Sequence, residues 1–300
     1  MPAHILLPFA MAFLANFILG ASSIYWHLFV GLSPVVLVIW RIAFSLILLG
    51  LLVGHFVLRG NDSLRRLTGR VVVLHVAAAV LVAINWGAFI WASMQGSVLE
   101  SGLGYLLAPV FVMIVGLLFL AEPRTRPRFA CIVVIVLALA TLVMAAGRLE
   151  HWVYWTIGAT WGGYTLLKKR TSLSPIEGLF VETTVLSILL VLASVWIDFG
   201  SHAPAASQVV NYPWLAAAGL VSVAPLVMFS FAARKLGAFN MGALQFVLPT
   251  TQLLVSYTYY GQVATMTTYV CFGIIWMALV ALTLREGGAF GRARLPKSII

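Results

Sequence analysis

Charge is what this chain has least of. Only 9% of its 300 residues are Asp, Glu, Lys or Arg, while 62% are hydrophobic. A water-soluble domain needs far more charge to cover its surface, so that class is excluded. Cysteine is nearly absent: Cys131 and Cys271 are the two, and their spacing fits neither a metal site nor a redox pair. There is no phosphate-cradling glycine loop, no His-Glu-x-x-His and no Gly-x-Ser-x-Gly. With no nucleophile or metal constellation, no catalytic residues, no metal and no cofactor are expected. Glu100 and Glu122 are not a catalytic pair, because a straight helix would hold them about 33 Å apart. The short alternating segments of a membrane β-barrel are missing too.

What the chain has is long apolar runs, each able to cross a hydrocarbon core of roughly 30 Å. They predict helices near residues 5–26, 34–58, 71–94, 98–120, 128–146, 151–168, 175–197, 212–233, 238–260 and 265–285. The fold class is therefore an all-α polytopic membrane protein with ten transmembrane helices. No Lys or Arg precedes the first run, so it reads as a retained helix rather than a cleaved signal. Loops are short, and the longest, about 198–211, carries no motif.

The net charge of +10 is a matter of placement. Basic residues fall in alternate connections: Arg59, Arg65, Arg66 and Arg70; Arg124, Arg126 and Arg128; Lys168, Lys169 and Arg170; Arg234 and Lys235. The tail adds Arg285, Arg292, Arg294 and Lys297, and the other connections hold only Arg148. By the positive-inside rule both termini are cytoplasmic. The basic surplus is a topology signal that also favours anionic lipid, not nucleic acid, which needs a basic face with a docking element.

The tripeptide Leu-Ser-Pro stands at 32–34 and again at 173–175. Seven residues past each proline is a charge, Arg41 in the first copy and Glu182 in the second. Gly102, Pro109, Glu122 and Cys131 are matched by Gly242, Pro249, Gln262 and Cys271 at an offset of 140. The repeat defines two five-helix units, 1–149 and 150–300, the second with a short basic cytoplasmic tail. Five is odd, so the second unit inserts inverted, as in carriers with a site near the midplane. Inversion also puts the two cysteines on opposite sides, which argues against a disulfide.

A charge inside the bilayer is costly and marks a pathway, a gate or a structural ion pair. Depth along the helices pairs Arg41 with Glu100 on the outer side and Glu182 with Arg234 or Lys235 on the inner side. These five form two expected charge-swapped gates, with proton coupling a further option for Glu182. Asn85, Trp86, Gln245 and Gln252 are polar or amphipathic residues inside helices, read either as interhelical glue or as pathway lining. Pro109, Pro225 and Pro249 each free a backbone carbonyl, making the fourth and ninth helices candidate bent elements. Trp26, Trp152 and Trp155 stand near helix ends as interface anchors.

These residues carry a resemblance to the EamA-type permeases of the drug/metabolite transporter superfamily, and within it to the RarD branch. It rests on Asn85-Trp86 through Phe89-Ile90-Trp91-Ala92, and on Leu99-Glu100, Leu103-Gly104-Tyr105 and Pro109. Phe119-Leu120 with Glu122, Glu182-Thr183, Pro225-Leu226, Gln245-Phe246 and Pro249-Thr250 complete it. The similarity runs from about Phe17 to Leu284. It implies a central cavity lined by the first, third, fourth, sixth, eighth and ninth helices, so Tyr105, Trp161 and Tyr164 join the pathway candidates. It also implies transport of small metabolites or drug-like solutes. The chain departs from the branch pattern at Ser23, His27, Val36, Trp40 and Gln262.

The expected function is secondary active transport by alternating access, in a bacterial inner membrane, with a small-molecule substrate and possible proton or ion coupling. The protein is expected to be a monomer or homodimer. The alternative is a non-transporting scaffold or regulator that keeps the transporter fold; an intramembrane enzyme and a channel rank below it.

Overall fold

In a computed structural model, residues 3–29, 31–60, 67–94, 98–145, 150–193, 212–261 and 263–292 are described. Arg65, Arg66, Arg148, Asp198, Gln262, Arg294 and Lys297 lie outside them. The described residues are helical almost throughout, and contain no strand.

The helices are α1 (Ala3–His27), α2 (Pro34–Leu58), α3 (Gly69–Met94), α4 (Val98–Phe119), α5 (Arg126–Ala145), α6 (His151–Arg170) and α7 (Pro175–Ala193). After these come α8 (Tyr212–Ala216), α9 (Ala218–Lys235), α10 (Ala238–Gln245), α11 (Val247–Thr258) and α12 (Met266–Arg292). Among the described residues, eight helices are long and apolar enough to cross a membrane. Residues 213–235, from α8 and α9, form one of these spans. The other two expected runs differ in character. α6 is rich in Trp, Tyr, Gly and Thr and ends Lys168-Lys169-Arg170. The ninth run is divided into α10 and α11.

That division has a local cause. Pro249 has no N–H to give the Gln245 carbonyl four residues back, and its ring crowds that carbonyl. The helix stops at Gln245 and restarts at Val247. Threonines occupy the carbonyls around the break: Thr250 Oγ1 donates to Phe246 O at 2.7 Å, and Thr251 Oγ1 to Val247 O at 2.8 Å. Trp276 Nε1 in turn donates to Thr250 Oγ1 at 2.9 Å, tying α12 to the bend. α4 stays continuous across Pro109.

α1 packs on α9 and on α10–α11, and α6 packs on α3 and α4. α2 packs on α9 and α7 on α3, while α2 meets α7, α4 meets α10 and α5 meets α12. Glycines permit close approaches between these helices. A Cβ on Gly20 of α1 would stand 2.6 Å from Leu248 O and 2.7 Å from Thr251 Cβ. A Cβ on Gly162 of α6 would stand 2.5 Å from Phe111 Cδ1 and 3.3 Å from Ala108 O. α5 and α12 instead turn large apolar side chains outward, among them Val133, Leu137, Met277 and Leu284. Helices apolar on all sides at the rim of a bundle are suited to lipid. Cys131 and Cys271 are both buried and unpaired.

Polar contacts sort the bundle into two ends. At one, Glu122 accepts from the backbone N–H of Ala238 and of Phe239, Lys169 donates to Leu236 O, and Arg128 forms a bidentate pair with Glu286 at 2.6 and 3.0 Å. At the other, Glu150 N–H donates to Glu100 Oε1 at 3.3 Å, Tyr25 OH to Trp214 O at 2.6 Å, and Tyr260 OH to Ser23 O at 3.0 Å. Most of the described basic residues belong to the first end.

Candidate functional site

Buried polar residues run through the middle of the bundle on two helical stripes. On α3, His75, Ala78, Ala79, Val82, Asn85 and Trp86 are buried; on α6, Trp161, Tyr164, Thr165 and Lys168 are. Both sets keep the three-and-four spacing of one helix face. The stripes face each other and their neighbours, and end in two charged clusters.

The cluster nearer the basic end centres on Glu182 of α7. Its Oε1 accepts from Lys168 Nζ at 2.6 Å and lies 2.7 Å from His75 Nδ1. Its Oε2 accepts from Tyr164 OH at 3.3 Å. Glu182 is 3% exposed, Lys168 1% and His75 0%. One anion is thus neutralised internally by a lysine, with His75 and Tyr164 also in reach of its oxygens, which is what makes a buried carboxylate tolerable. The expected partners Arg234 and Lys235 are not its partners. Arg234 donates to the carbonyls of Leu173 and Ser172, and Lys235 is exposed. Lys168, Lys169 and Arg170, expected in the connection after the sixth helix, all lie in the last turn of α6. Lys168 sits on the inward face of α6, one residue before Lys169 and two before Arg170.

The cluster nearer the other end centres on Arg41 of α2, 8% exposed. Its guanidinium carbon lies 3.7 Å from the Trp86 ring centroid and 5.2 Å from that of Trp26. Stacking on rings is a recognised way to hold a guanidinium in an apolar setting. Arg41 has no carboxylate partner among the described residues, and its Nε is buried without a hydrogen bond. Glu100, expected opposite it, is buried but receives the Glu150 N–H instead. Trp26, expected as an interface anchor, covers Arg41. Trp152 and Trp155, 45% and 61% exposed, do face outward.

Between the clusters lies an amide and aromatic network. Tyr105 OH donates to Asn85 Oδ1 at 3.1 Å, and Asn85 Nδ2 donates to Thr160 Oγ1 at 3.1 Å and Ile157 O at 3.2 Å. Tyr105, Trp161, Tyr164 and Phe229 form a cluster of rings with neighbouring centroids 4.9 to 6.2 Å apart. Gln245, at the α10 break, donates to Thr165 Oγ1 at 2.7 Å while its Oε1 is buried without a partner. Trp161 Nε1 is likewise buried and unpartnered. Gln252 is half-buried on α11. Pro109 lies against α10, where a Cβ on Gly242 would meet its carbonyl oxygen at 2.8 Å.

The structure therefore brings Asn85, Trp86, Tyr105, Trp161, Tyr164, Arg41 and Glu182 into one buried column. His75 and Lys168 belong to it and were not anticipated. His75 is a lone polar residue in an apolar run, and Lys168 is hidden in a basic triplet. The available signal was the stripe Trp161, Tyr164, Thr165, Lys168.

No family model matches the chain. Individual relatives do. An uncharacterized transporter of Pseudomonas aeruginosa is 32% identical, covering 90% of this chain and 91% of its own length. The RarD protein of Salmonella typhimurium is 30% identical, covering 91% and 93%. A solved crystal structure that is 16% identical superposes with a TM-score of 0.67 over 92% of this chain and 97% of its own, so the fold is shared. With relatives of this identity over nearly its full length, and an all-helical bundle crossed by a buried polar column, this multi-pass membrane protein belongs to the RarD family of EamA-type permeases.

Proposed function

We propose that this protein is a secondary active transporter that moves small metabolites or drug-like solutes by alternating access. In this reading residues 1–149 and 150–300 are inverted five-helix copies, and α8–α9 and α10–α11 each count as one membrane element. Ten spans result, with both termini cytoplasmic in a bacterial inner membrane.

The observation that carries the reading is the packing. Exchanging the halves maps the contact of α1 with α10–α11 onto that of α6 with α4, and the contact of α2 with α9 onto that of α7 with α3. The close approach of Gly20 to Leu248 and Thr251 maps onto that of Gly162 to Ala108 and Phe111. A bundle of two interlocked, oppositely inserted copies has two packings of similar energy, one open to each side. The buried column between the copies is then the pathway. Asn85, Trp86, Tyr105, Pro109, Trp161, Tyr164, Gln245, Pro249 and Gln252 line or bend it, and Arg41 and Glu182 stand at its two ends. Glu100 and Arg234 serve as supports of helix ends, and Lys235 is exposed at the end of α9. The relatives' names support transport rather than catalysis.

The test is flux into proteoliposomes. Saturable uptake that an excess of the same solute on the opposite side accelerates is the expected result. A broad panel of solutes giving no flux, with Arg41→Gln and Glu182→Gln proteins folding and keeping the cellular phenotype, would favour the scaffold reading instead.

A further inference from the structure

The two buried charges are not equivalent. Glu182 has its own lysine, so the inner cluster needs nothing from outside to balance it. Among the described residues Arg41 has only rings. Trp86 at 3.7 Å closes one face of the guanidinium, and Trp26 stands at 5.2 Å. A covered face leaves the edge, where the N–H donors lie in one plane. A planar carboxylate is the acceptor that matches such an edge, by two parallel hydrogen bonds. Arg41 Nε and Trp161 Nε1 are both buried donors without partners. Trp26 and Trp86 stand at the guanidinium, and Tyr105, bonded to Asn85 beside Trp86, packs its ring against Phe89 and Trp161.

We propose that Arg41 is the anion-binding contact of the pathway and that its ligand is a small organic monocarboxylate with a planar, apolar body. This rests on the transport reading and names its substrate class. Charge fixes the valence. One arginine balances one negative charge, whereas a dianion such as a phosphate monoester would carry a surplus charge into the bilayer. The rings fix the body, since an aromatic acid can stack where an aliphatic polyol would strand its hydroxyls.

The test compares acids with neutral partners of the same shape: indole-3-acetate against indole-3-acetamide, and benzoate against benzamide. Binding is titrated calorimetrically in nanodiscs of neutral lipid. The acids should bind about ten- to a hundredfold more tightly than the amides, as a charge-assisted pair implies. Arg41→Gln should bring acid and amide to within about threefold, and Arg41→Lys should recover only part of the preference. Arg59→Gln, on the exposed end of α2, should change neither. Equal affinities in the unaltered protein overturn the proposal without any variant being needed. So does an acid preference that survives in Arg41→Gln. Flux measured in parallel separates this from the reading beneath it. Solute flux with no acid preference removes the anion site and leaves transport. Acid binding that depends on Arg41, without flux of any solute, removes transport and leaves the site.

Discussion

The two Leu-Ser-Pro helices, α2 and α7, start alike and diverge seven residues in. α7 buries an anion beside a cation, a histidine and a phenol. α2 buries a cation between indoles. The same position after an identical tripeptide is thus used in opposite electrostatic ways. A carboxylate is compact and strongly hydrated, so removal from water demands a countercharge and hydrogen bonds. A guanidinium is planar and weakly hydrated, so ring faces can stand in for part of its hydration. The Glu182 cluster carries its own countercharge, and the Arg41 cluster has none among the described residues.

The sharpest way to break this contrast is to remove one charge at a time. Glu182→Ala leaves Lys168 and His75 buried without their shared carboxylate. It should cost about 3–5 kcal/mol, seen as a large fall in the thermal midpoint of the detergent-solubilised protein. Combining Glu182→Leu with Lys168→Met removes both charges at similar volume and should recover most of that loss. If the double variant is as unstable as the single, the pair is not what holds α6 to α7.

Arg41→Met should do far less. It gives up two ring contacts but also removes a buried charge that no described carboxylate balances, so the net change should stay within about 1 kcal/mol. The same melting measurement decides it. A fall as deep as that of Glu182→Ala would mean that Arg41 has an internal partner, and the asymmetry between the helices would collapse.

Helix positions were readable in the sequence because proline, glycine and charge punctuate long apolar runs: Pro34 and Pro175 open helices, and Arg59 and Gly60 close one. The break before Pro249 was readable from the missing N–H. Asn85, Tyr105 and Gln245 stood out as polar residues in apolar runs, though which partner each bonds depends on the packing of α3, α4, α6 and α10. The charge pairs were the least legible part. Depth along a helix restricts a residue to a layer, but it does not say which way the side chain points around the axis. Arg234 and Lys168 share the basic end; only Lys168 lies on the face toward Glu182, at the i+4 step from Tyr164. Glu100 was aimed at Arg41 on depth alone, and the Glu150 backbone claims it instead.

The smallest effect tests the comparison at the helix starts. Leu-Ser-Pro is identical in both copies, yet its two serines have different neighbours one turn on. Three residues after Ser174 comes Glu177, which is 3% exposed; three residues after Ser33 comes Val36. Ser174 Oγ donates to Glu177 Oε2 at 2.5 Å and accepts the Glu177 N–H at 3.3 Å. Ser33 makes no side-chain cap bond. A serine with an acid three residues on can close a capping box, and a serine with valine there cannot. Ser174→Ala should therefore cost about 1 kcal/mol, and Ser33→Ala less than about 0.5 kcal/mol, read as paired thermal midpoints. Equal losses would mean that the serines act through something other than their caps. The expected difference would instead extend the asymmetry of the two copies from the buried charges to the first turn, with α7 fastened at both points and α2 held at neither by a carboxylate.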